Sequence, residues 1–375
     1  MPLRYGNLPF KFLTVPELPC FSGALIKSYL IGCLSLKSNP FPENAAGLAK
    51  KYLSPEILQA LKGETTDSGF TLAMAIRSGV LNPDSSIGIY AGDAQSYRTF
   101  AAILHPIIEE YHGVSGEVRQ ESDLAAVTLA NLDPEGRYIR SSRVRVARNL
   151  RGFPFTNHLK LEERRRLEEK IVAALSVLAD DLRGEYHSFE LLGAEKMAAL
   201  RAEKLIFSKG DRFQEAAGFN ADFPKSRGIF FSADKGLRIW LGEEDHMRII
   251  SQEGSADLAA VFNRLGRALT TLEASLDFVR DESYGYLSSC PTNIGTTMRA
   301  GVHIYLEKLN CNRQLLDALT EKHDLQIRGT GGEKTEVDGA VFDISNRRRL
   351  GISERQIITG LHAGLQEIIE AEKSL

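Results

Sequence analysis

The chain has 375 residues, of which 43% are hydrophobic and 25% charged, and its formal net charge is -3. This length allows two domains, each with its own apolar core. The weak net charge gives no overall basic field, which argues against nucleic acid as the main partner. The four cysteines form no CxxC pair and no zinc-type spacing with histidine, so we expect a reduced cytoplasmic protein without a disulfide framework or a structural metal.

Residues 1–39 are expected to be a poorly ordered extension. The apolar stretch at residues 21–36 contains Lys27 and is too short and too mixed to span a membrane. No convincing cleavage site follows it, although a signal peptide stays open as an alternative. We therefore expect no membrane partner.

Residues 40–118 have the pattern of a small all-helical domain. Ser54 stands directly before Pro55, and a capping serine with proline at the first helical position marks the start of a helix. Helical spacing recurs over residues 66–80 and over residues 96–112, where Pro106 is expected to interrupt it.

A linker is predicted at residues 119–137, which lack a strong period and contain glycines and an Asp133-Pro134 pair. Residues 138–375 then mix short alternating segments with long amphipathic ones. Strands are predicted at 142–147, 227–232, 236–241, 246–251, 284–289, 301–305 and 339–344, and helices at 159–182, 256–275, 311–323 and 353–372. Ser353 and Gln356 form a capping-box pattern. Without regular βαβ alternation, this order predicts an α+β domain with a mainly antiparallel sheet.

The segment 289–299 (SCPTNIGTTMR) predicts a sharp turn that faces a ligand. Cys290 is followed by a proline, which lacks a backbone donor, and by small polar residues that can bond their own backbone. Gly295 permits a positive φ. The alternative interpretation is that Cys290 is a small buried hydrophobic residue.

Arginines occur beside several predicted strands. Arg143 and Arg145 alternate with valines, so that both guanidinium groups lie on one face. The others are Arg248, Arg299 and Arg328, the last directly before the glycine-rich residues 329–332. Planar guanidinium groups bind phosphate bidentately, so the set predicts a polyphosphate ligand. Alternatively, each arginine is an exposed strand residue in a local salt bridge.

Two acidic sites accompany the arginines. The segment 243–246 (EEDH) lies directly before Arg248, and Glu333 ends the glycine-rich segment. An acidic cluster by itself is typical of a solvated turn. Its place next to a predicted phosphate-binding arginine favours a role in substrate binding.

Six segments resemble those of the phosphagen (guanidino) kinases. They are 86–100 (SIGIYAGDAQSYRTF), 141–155 (SSRVRVARNLRGFPF), 242–251 (GEEDHMRIIS), 290–304 (CPTNIGTTMRAGVHI), 328–336 (RGTGGEKTE) and 343–351 (DISNRRRLG). The resemblance covers residues 40–375 in order and without large gaps. The sequence contains neither a Walker A motif nor the HRD and DFG motifs of protein kinases.

This resemblance implies a fold and a reaction. The fold is a small helical N-terminal domain and a larger catalytic domain with an antiparallel sheet flanked by helices, of the glutamine-synthetase and guanido-kinase type, with the active site between them. The reaction is reversible transfer of the γ-phosphoryl group of MgATP to a guanidino nitrogen. Mg²⁺ would be held by phosphates and water, and the enzyme would be a cytoplasmic monomer or homodimer whose partners are its small-molecule substrates.

The resemblance also implies the nucleotide site. The phosphates would be held by Arg143, Arg145, Arg248, Arg299 and Arg328. His303 would lie against the nucleoside, and Lys204 stands where the family usually has a histidine. The other implied nucleotide-binding residues are Ser141, Ser142, Val144, Ala300, Gly301, Val302, Gly329, Thr330, Gly331, Gly332 and Glu333.

The guanidino substrate is implied to bind three side chains. Glu244 and Glu333 would pair with its guanidinium group, and Glu244 is the better candidate for the general base. Cys290 would stand beside the same group as a thiolate favoured by surrounding positive charge, in an electrostatic and not a nucleophilic role.

The choice of substrate is implied by a short loop in the N-terminal domain, formed by Ser86, Ile87, Gly88, Ile89 and Tyr90. It resembles the loop of family members that use arginine, in which backbone groups bind the substrate carboxylate and the tyrosine hydroxyl binds the α-amino group. We therefore expect L-arginine to be the acceptor, giving phosphoarginine and ADP. The alternatives are taurocyamine, lombricine, or a catalytically silent arginine or nucleotide sensor. Asp84 and Arg212 match an interdomain ion pair, or are two unrelated surface charges.

Overall fold

The computed structural model describes residues 39–116, 118–203, 205–328 and 339–375. Within them, helices make up the N-terminal part, and an antiparallel sheet with flanking helices makes up the larger C-terminal part. The predicted α+β architecture is confirmed. The predicted extension up to residue 38, Lys204 and the segment 329–333 lie outside the described residues.

The N-terminal helices begin and end at well-defined caps. They are α1 (Leu48–Tyr52), α2 (Pro55–Leu61), α3 (Leu72–Leu81), α4 (Ser96–Thr99) and α5 (Ala101–His112). The side chain of Ser54 accepts a hydrogen bond from the N–H of Ile57, which confirms the predicted start of α2. Helix α3 begins six residues later than predicted, because Thr71 caps it and residue 65 pairs with residue 71 in a turn.

Pro106 does not interrupt α5, contrary to the prediction. It lies inside the helix, where its ring removes one backbone hydrogen bond. The surrounding side chains of Ile103, Leu104, Ile107 and Ile108 are all buried in the domain core. Their packing offsets the lost bond, since most helix stability in proteins comes from the burial of an apolar face.

The strands of the C-terminal part are β1 (Ile139–Arg148), β2 (Gly184–Ser188), β3 (Gly228–Ser232), β4 (Leu237–Leu241), β5 (Met247–Glu253), β6 (Arg280–Asp281), β7 (Gly285–Tyr286), β8 (Arg299–Tyr305), β9 (Leu325–Arg328) and β10 (Val341–Asn346). Eight of them form an antiparallel sheet in the order β2-β3-β4-β5-β1-β8-β10-β9. Strands β6 and β7 form a separate two-stranded sheet.

One face of the large sheet packs against helices. The C-terminal helices are α6 (Leu161–Leu175), α7 (Ala194–Ala202), α8 (Arg212–Ala217), α9 (Leu258–Glu273), α10 (Glu307–Cys311), α11 (Arg313–Lys322) and α12 (Glu354–Ser374). Val144 and Val146 of β1 meet apolar residues of α9 and α12 in one continuous core. Helix α12 opens with the predicted capping box of Ser353 and Gln356.

The sequence-based prediction differed from the structure in elements held by distant contacts. The strand predicted at 284–289 is limited to β7, because the next carbonyl groups bind the N-terminal domain: the N–H of Ala91 donates to Ser289 O at 2.7 Å, and Tyr97 Oη to Ser288 O at 2.7 Å. The helix predicted at 159–182 ends at Leu175. Strands β2 and β9 and helices α7 and α8 were not predicted; α7 buries none of its residues and so lacks a clear apolar stripe.

The two parts of the chain share a hydrophobic cluster. Phe100 and Ile103 of the helical part lie in the same cluster as Ile294 and Leu350 of the C-terminal part. The cysteine turn therefore lies at the junction of the two parts. Residues 118–138, which connect them, contain neither helix nor strand. No helix in the described part of the chain is long and apolar enough to cross a bilayer.

Candidate active site

The second face of the sheet carries the arginines, and we call it the arginine face. Arg145 of β1 pairs directly with Arg299 of β8, and Arg143 lies two residues from Arg145 on the same side of the strand. Arg248 of β5 lies on the same face, because it pairs with Ala147 of β1. The predicted alternation along β1 is confirmed.

The arginine face is a concentration of like charge. Burial, followed by the charges of the Arg248 and Arg299 guanidinium groups, lowers the pKa of Arg143 to about 10. The pKa of Arg145 is lowered well below its usual range. Burial is the largest cause, and the charge of Arg248 is the second. Among the described residues, Arg143 and Arg145 have no carboxylate within salt-bridge distance, and Arg143 Nε is buried without a hydrogen-bond partner. Such a surface is suited to an anion of several charges.

The far end of the arginine face holds a carboxylate and a histidine. Asp343 of β10 pairs across the ladder with both Arg328 and His303. Its Oδ2 lies 2.7 Å from Arg299 Nη2 and 3.9 Å from His303 Nε2. The His303 side chain is 42% exposed, so a planar ligand can reach it.

Several residues predicted to contact the nucleotide have side chains on the opposite face. Ser142, Val144, Ala300 and Val302 are almost completely buried in or beside the helix-covered core, and Ser142 Oγ donates to Ser255 O at 2.7 Å. Alternation along a strand turns every second side chain away, so none of these four side chains lies on the arginine face. Ser141 and Gly301 lie on the arginine face.

The acidic segment lies in the turn between β4 and β5, at the edge of the arginine face. Arg248 Nη1 lies 2.7 Å from Glu243 Oε2, and Arg248 Nη2 lies 3.8 Å from Glu244 Oε2. The Glu244 side chain is only 13% exposed, so this is not a solvated turn. Burial raises the pKa of Glu244 to about 7, with Glu243 and Asp245 adding to the effect and Arg248 opposing it.

Two amide side chains hold the Glu244 carboxylate. Asn293 Nδ2 donates to Oε1 at 3.2 Å, and Gln214 Nε2 donates to Oε2 at 3.1 Å. Asn293 in turn accepts a hydrogen bond from Arg349 Nη1, which also donates to Thr292 O at 3.0 Å. A carboxylate held at both oxygens has a fixed orientation.

The cysteine turn is confirmed as a turn. Residues Pro291–Asn293 form a single 3₁₀ turn, and the N–H of Asn293 donates to Cys290 O at 2.9 Å. Gly295 has a φ of 90°, and a Cβ there would lie 2.2 Å from Arg349 O. His112 of α5 joins the turn to the helical part, with Nε2 2.9 Å from Pro291 O.

The expectation that Cys290 is a thiolate is not supported by its surroundings. Cys290 is 8% exposed, and its Sγ lies 3.1 Å from Thr292 Oγ1. Burial, followed by the carboxylate of Glu244, raises the pKa of the thiol to about 12. Burial and the neighbouring carboxylates therefore keep the thiol protonated at neutral pH.

The loop 86–90 faces the cysteine turn from the helical part. Tyr90 packs edge-on against Phe219, with ring centroids 5.3 Å apart. Burial raises the pKa of the Tyr90 hydroxyl, and the nearby Cys290 and Glu244 also raise it. The N–H of Ala91 bonds to Ser289 O at the edge of the same turn. The structure thus brings together Tyr90, Glu244 and Cys290.

The interdomain ion pair is confirmed. Arg212 Nη1 donates to Asp84 Oδ1 at 2.8 Å, Arg212 Nη2 also contacts Asp84, and Nη1 lies 3.0 Å from Asn82 Oδ1. The pair is about half exposed, so water and salt screen its attraction.

Sequence reasoning missed four side chains of the site: Gln214, Asn293, Arg349 and Arg238. Asn293 and Arg349 lie inside segments that carry the family resemblance, and Asp211 with Gln214 has the spacing of a capping box. The sequence therefore contains a signal for each of these three residues. Arg238 of β4 lies on the arginine face, opposite Ile250, and its charge lowers the pKa of Arg143.

Comparisons with known proteins identify the family. Residues 166–375 match the ATP:guanido phosphotransferase C-terminal catalytic domain, and residues 43–109 match the N-terminal domain of the same family. The chain belongs to the ATP:guanido phosphotransferases. The predicted family and the predicted enzyme class, a kinase that phosphorylates a guanidino group, are confirmed.

Relatives of this phosphotransferase extend over most of the chain. It is 42% identical over 332 residues to the arginine kinase of Limulus polyphemus. The alignment covers 87% of this chain and 92% of the relative. It is 41% identical over 331 residues to the arginine kinase of Penaeus japonicus. This alignment covers 88% of this chain and 93% of the relative.

Solved structures agree with the fold. A lombricine kinase structure matches with a TM-score of 0.83 at 33% identity, covering 88% of this chain and 93% of that one. A duplicated taurocyamine kinase from Schistosoma mansoni, with bound transition-state-analogue components, matches with a TM-score of 0.82 at 35% identity, covering 94% of this chain and 48% of that one.

Proposed function

We propose that this phosphotransferase is an arginine kinase, which transfers the γ-phosphoryl group of MgATP reversibly to the guanidino group of L-arginine. The observation that carries the proposal is the position of Glu244, a buried carboxylate between the arginine face and the cysteine turn. A polyphosphate attracted to the arginines and a guanidinium attracted to the carboxylate would meet at Arg248. The sequence identity of 41–42% that this chain shares with the arginine kinases named above supports arginine as the acceptor.

We propose that the nucleotide phosphates bind the arginine face. The residues assigned to them are Arg143, Arg145, Arg248, Arg299 and Arg328, with Gly301 and Ser141 beside them on the face and His303 against the nucleoside. The half-buried, mutually repelling guanidinium groups of Arg143 and Arg145 fit a ligand of several negative charges. Phosphoryl transfer depends mainly on positioning and charge stabilisation, which fixed cations supply.

Magnesium fits the same arrangement as part of the substrate. Among the described residues, no three His, Cys, Asp or Glu side chains are grouped to hold a metal ion. We assign Mg²⁺ to the phosphate oxygens and water, where it neutralises phosphate charge. The segment 329–333, which we assign to the phosphates, and Glu333, which we assign to the guanidinium, lie outside the described residues.

Glu244 is assigned as the group that orients and deprotonates the guanidinium. The N–P bond forms as the bond from the γ-phosphorus to the bridging oxygen of ADP breaks, and Glu244 accepts the proton that leaves the nitrogen. Amide donors at both oxygens fix its direction. Cys290 is assigned a place beside the guanidinium, as a thiol in the absence of substrate.

The amino-acid end of arginine is assigned to the loop 86–90. Among the described residues, the backbone N–H groups of Ser86, Ile87 and Ile89 donate no hydrogen bond, whereas the N–H of Gly88 donates to Ser85 Oγ at 3.1 Å. Unused N–H groups in one turn suit a carboxylate. Tyr90, with its hydroxyl near Glu244 and Cys290, is assigned to the α-amino group.

We further propose a division into a specificity domain at 40–118, a linker at 119–137 and a catalytic domain at 138–375. The lack of helix or strand over residues 118–138 supports this division. Cytoplasmic buffering of ATP through phosphoarginine is the cellular role that we assign.

The acceptor is tested by coupled ADP release with arginine, taurocyamine, lombricine, creatine and glycocyamine at equal concentrations. We expect turnover with arginine at a kcat/KM at least tenfold above that of the other four. Turnover with another guanidine but not with arginine would show that the acceptor is wrong. Nucleotide binding without turnover on any of the five would favour the sensor.

The acid limb of the pH profile follows from Glu244. A group whose pKa is raised to about 7 is protonated below that pH and can then neither accept a proton nor pair with the guanidinium. We therefore expect kcat/KM for arginine to fall about tenfold per pH unit below about 7. Glu243→Gln removes a charge that raises the pKa of Glu244, so the acid limb of this variant's kcat/KM profile should move to lower pH. A flat wild-type profile between pH 5.5 and 8 would contradict the assignment.

A further inference from the structure

Gln214 contacts Glu244 from a different part of the chain than the other residues of the site. Its Nε2 lies 3.1 Å from Glu244 Oε2, on the side opposite Asn293. The remaining partners of Glu244 lie on its own hairpin or on the cysteine turn, whereas Gln214 belongs to α8. The carboxylate is thus reached from three separate segments.

The Gln214 side chain is fixed at both ends of its amide. The N–H of Asp211 donates to Gln214 Oε1 at 3.2 Å, which closes the capping box of α8. With Oε1 used there, Nε2 is directed to Glu244. A Cβ at Gly210 would lie 2.3 Å from Gln214 Oε1, so glycine is required for this close approach. Asn220 holds Gly210 through bonds of 2.8 Å and 3.1 Å to its N–H and carbonyl groups.

Helix α8 is joined to the helical N-terminal part. Ser78 Oγ donates to Phe213 O at 2.8 Å, and Arg77 Nε donates to Ala216 O at 2.5 Å. The pair of Arg212 and Asp84 adds a third connection at the start of the helix. The donor to Glu244 therefore lies on an element whose position depends on how the two parts meet.

We infer that Gln214 is a positioning residue for the phosphoryl-transfer reaction, which holds the Glu244 carboxylate ionised and correctly oriented when the helical part is docked through α8. The inference rests on the proposed function, because it assigns Glu244 the proton-accepting role. Gln214 itself does not contact the reacting atoms in this assignment.

The charges around Glu244 determine the sign of the effect. Arg248 is the nearby cation, and Glu243 and Asp245 are carboxylates of the same hairpin. Cys290 and the Tyr90 hydroxyl face Glu244 from the cysteine turn and from the loop 86–90. Gln214 is a neutral donor among them, and a hydrogen bond donated to a carboxylate lowers its pKa. Replacing that donor with a second carboxylate should raise the pKa of Glu244.

The test is the pH profile of Gln214→Glu. Glutamate keeps the capping-box acceptor but replaces the amide donor by a negative charge next to Glu244. We expect the acid limb of kcat/KM for arginine to move up by about one pH unit, with activity about tenfold below wild type at pH 6.5 and largely restored at pH 9. Gln214→Ala should lower kcat more than it changes KM for ATP, since the orientation of Glu244 is lost.

Gln356 offers a matched control. It fills the same capping-box position in α12, with the N–H of Ser353 donating to its Oε1 at 2.9 Å, and lies outside the site. The acid limb of Gln356→Glu should coincide with that of the wild type. Gln356→Ala should lower the melting temperature about as much as Gln214→Ala, because both substitutions remove a capping box. An acid limb of Gln214→Glu that coincides with that of wild type would overturn the inference. Failure of the wild type to phosphorylate any guanidine would instead overturn the proposed function.

Discussion

Glu244→Gln is expected to lower kcat for arginine phosphorylation by about 10²–10⁴-fold, which is the usual contribution of a positioned proton acceptor. The substitution preserves the shape of the side chain but removes its charge and its ability to accept the proton. Affinity for ADP should change less than twofold, because Arg248 keeps its closer contact with Glu243, at 2.7 Å compared with 3.8 Å to Glu244. Coupled turnover and calorimetric titration with ADP measure the two effects separately.

Glu372 supplies the control for loss of a buried carboxylate. It accepts the N–H groups of Lys308 and Leu309 at 2.8 Å each and lies outside the site. Glu372→Gln should lower stability and leave kcat near wild type. A drop of more than tenfold in the ADP affinity of Glu244→Gln would mean that Glu244 belongs to the nucleotide site and not to the acceptor.

Arg145→Met is expected to have effects of opposite sign on activity and on stability. Nucleotide affinity and kcat/KM should fall about 10²–10³-fold, as when one donor to a transition-state charge is removed. The free energy of unfolding without nucleotide should rise by about 1 kcal/mol, because a half-buried charge without a carboxylate in salt-bridge distance in the described part of the chain is replaced by an apolar side chain. Arg145 opposes Arg299 directly across the ladder, and like charges in that position destabilise a sheet.

Arg227 is the matched arginine that binds protein groups. Its guanidinium is buried and donates to the carbonyl groups of Gly242, Phe219, Ala221 and Lys225 at 2.7 to 3.1 Å. Arg227→Met should therefore lower the free energy of unfolding by at least about 3 kcal/mol, since several buried acceptors lose their donor. Chemical denaturation of both variants without nucleotide gives the comparison. A destabilised Arg145→Met would contradict the proposal that the arginines of this face bind nucleotide phosphates and not protein groups.

The sequence allowed the prediction of those features that depend on local periodicity. Alternation of Arg143 and Arg145 with valines correctly predicted which face of β1 carries the charges, because a strand turns every second side chain the same way. By the same rule the side chains of Ser142 and Val144 face the helix-covered core, although the resemblance implies that these residues contact the nucleotide. Local chemistry also identified the cysteine turn and the caps of α2 and α12.

The burial of the acidic turn depends on contacts that no local pattern contains. Asp245 Oδ1 lies 2.7 Å from Asn149 Nδ2, and the N–H of Ser289 donates to the same oxygen at 3.2 Å. These residues lie 96 and 44 positions away along the chain. An acidic cluster by itself is typical of a solvated turn, and only its place beside Arg248 favoured a role in substrate binding. Sequence alone likewise does not contain the burial and the neighbouring carboxylates that raise the pKa of Cys290. Both depend on which charges the fold brings near.

The most direct measurement of the central claim is ³¹P NMR of the protein with MgATP and L-arginine. We expect the γ-phosphate signal of ATP to decrease while signals of ADP and of a phosphorus bonded to nitrogen appear in equal amounts. Glu244→Gln under the same conditions should give almost none of the new signal. Inorganic phosphate in place of the N–P signal, or an unchanged ATP spectrum with wild-type protein, would contradict the assignment of this chain as an arginine kinase.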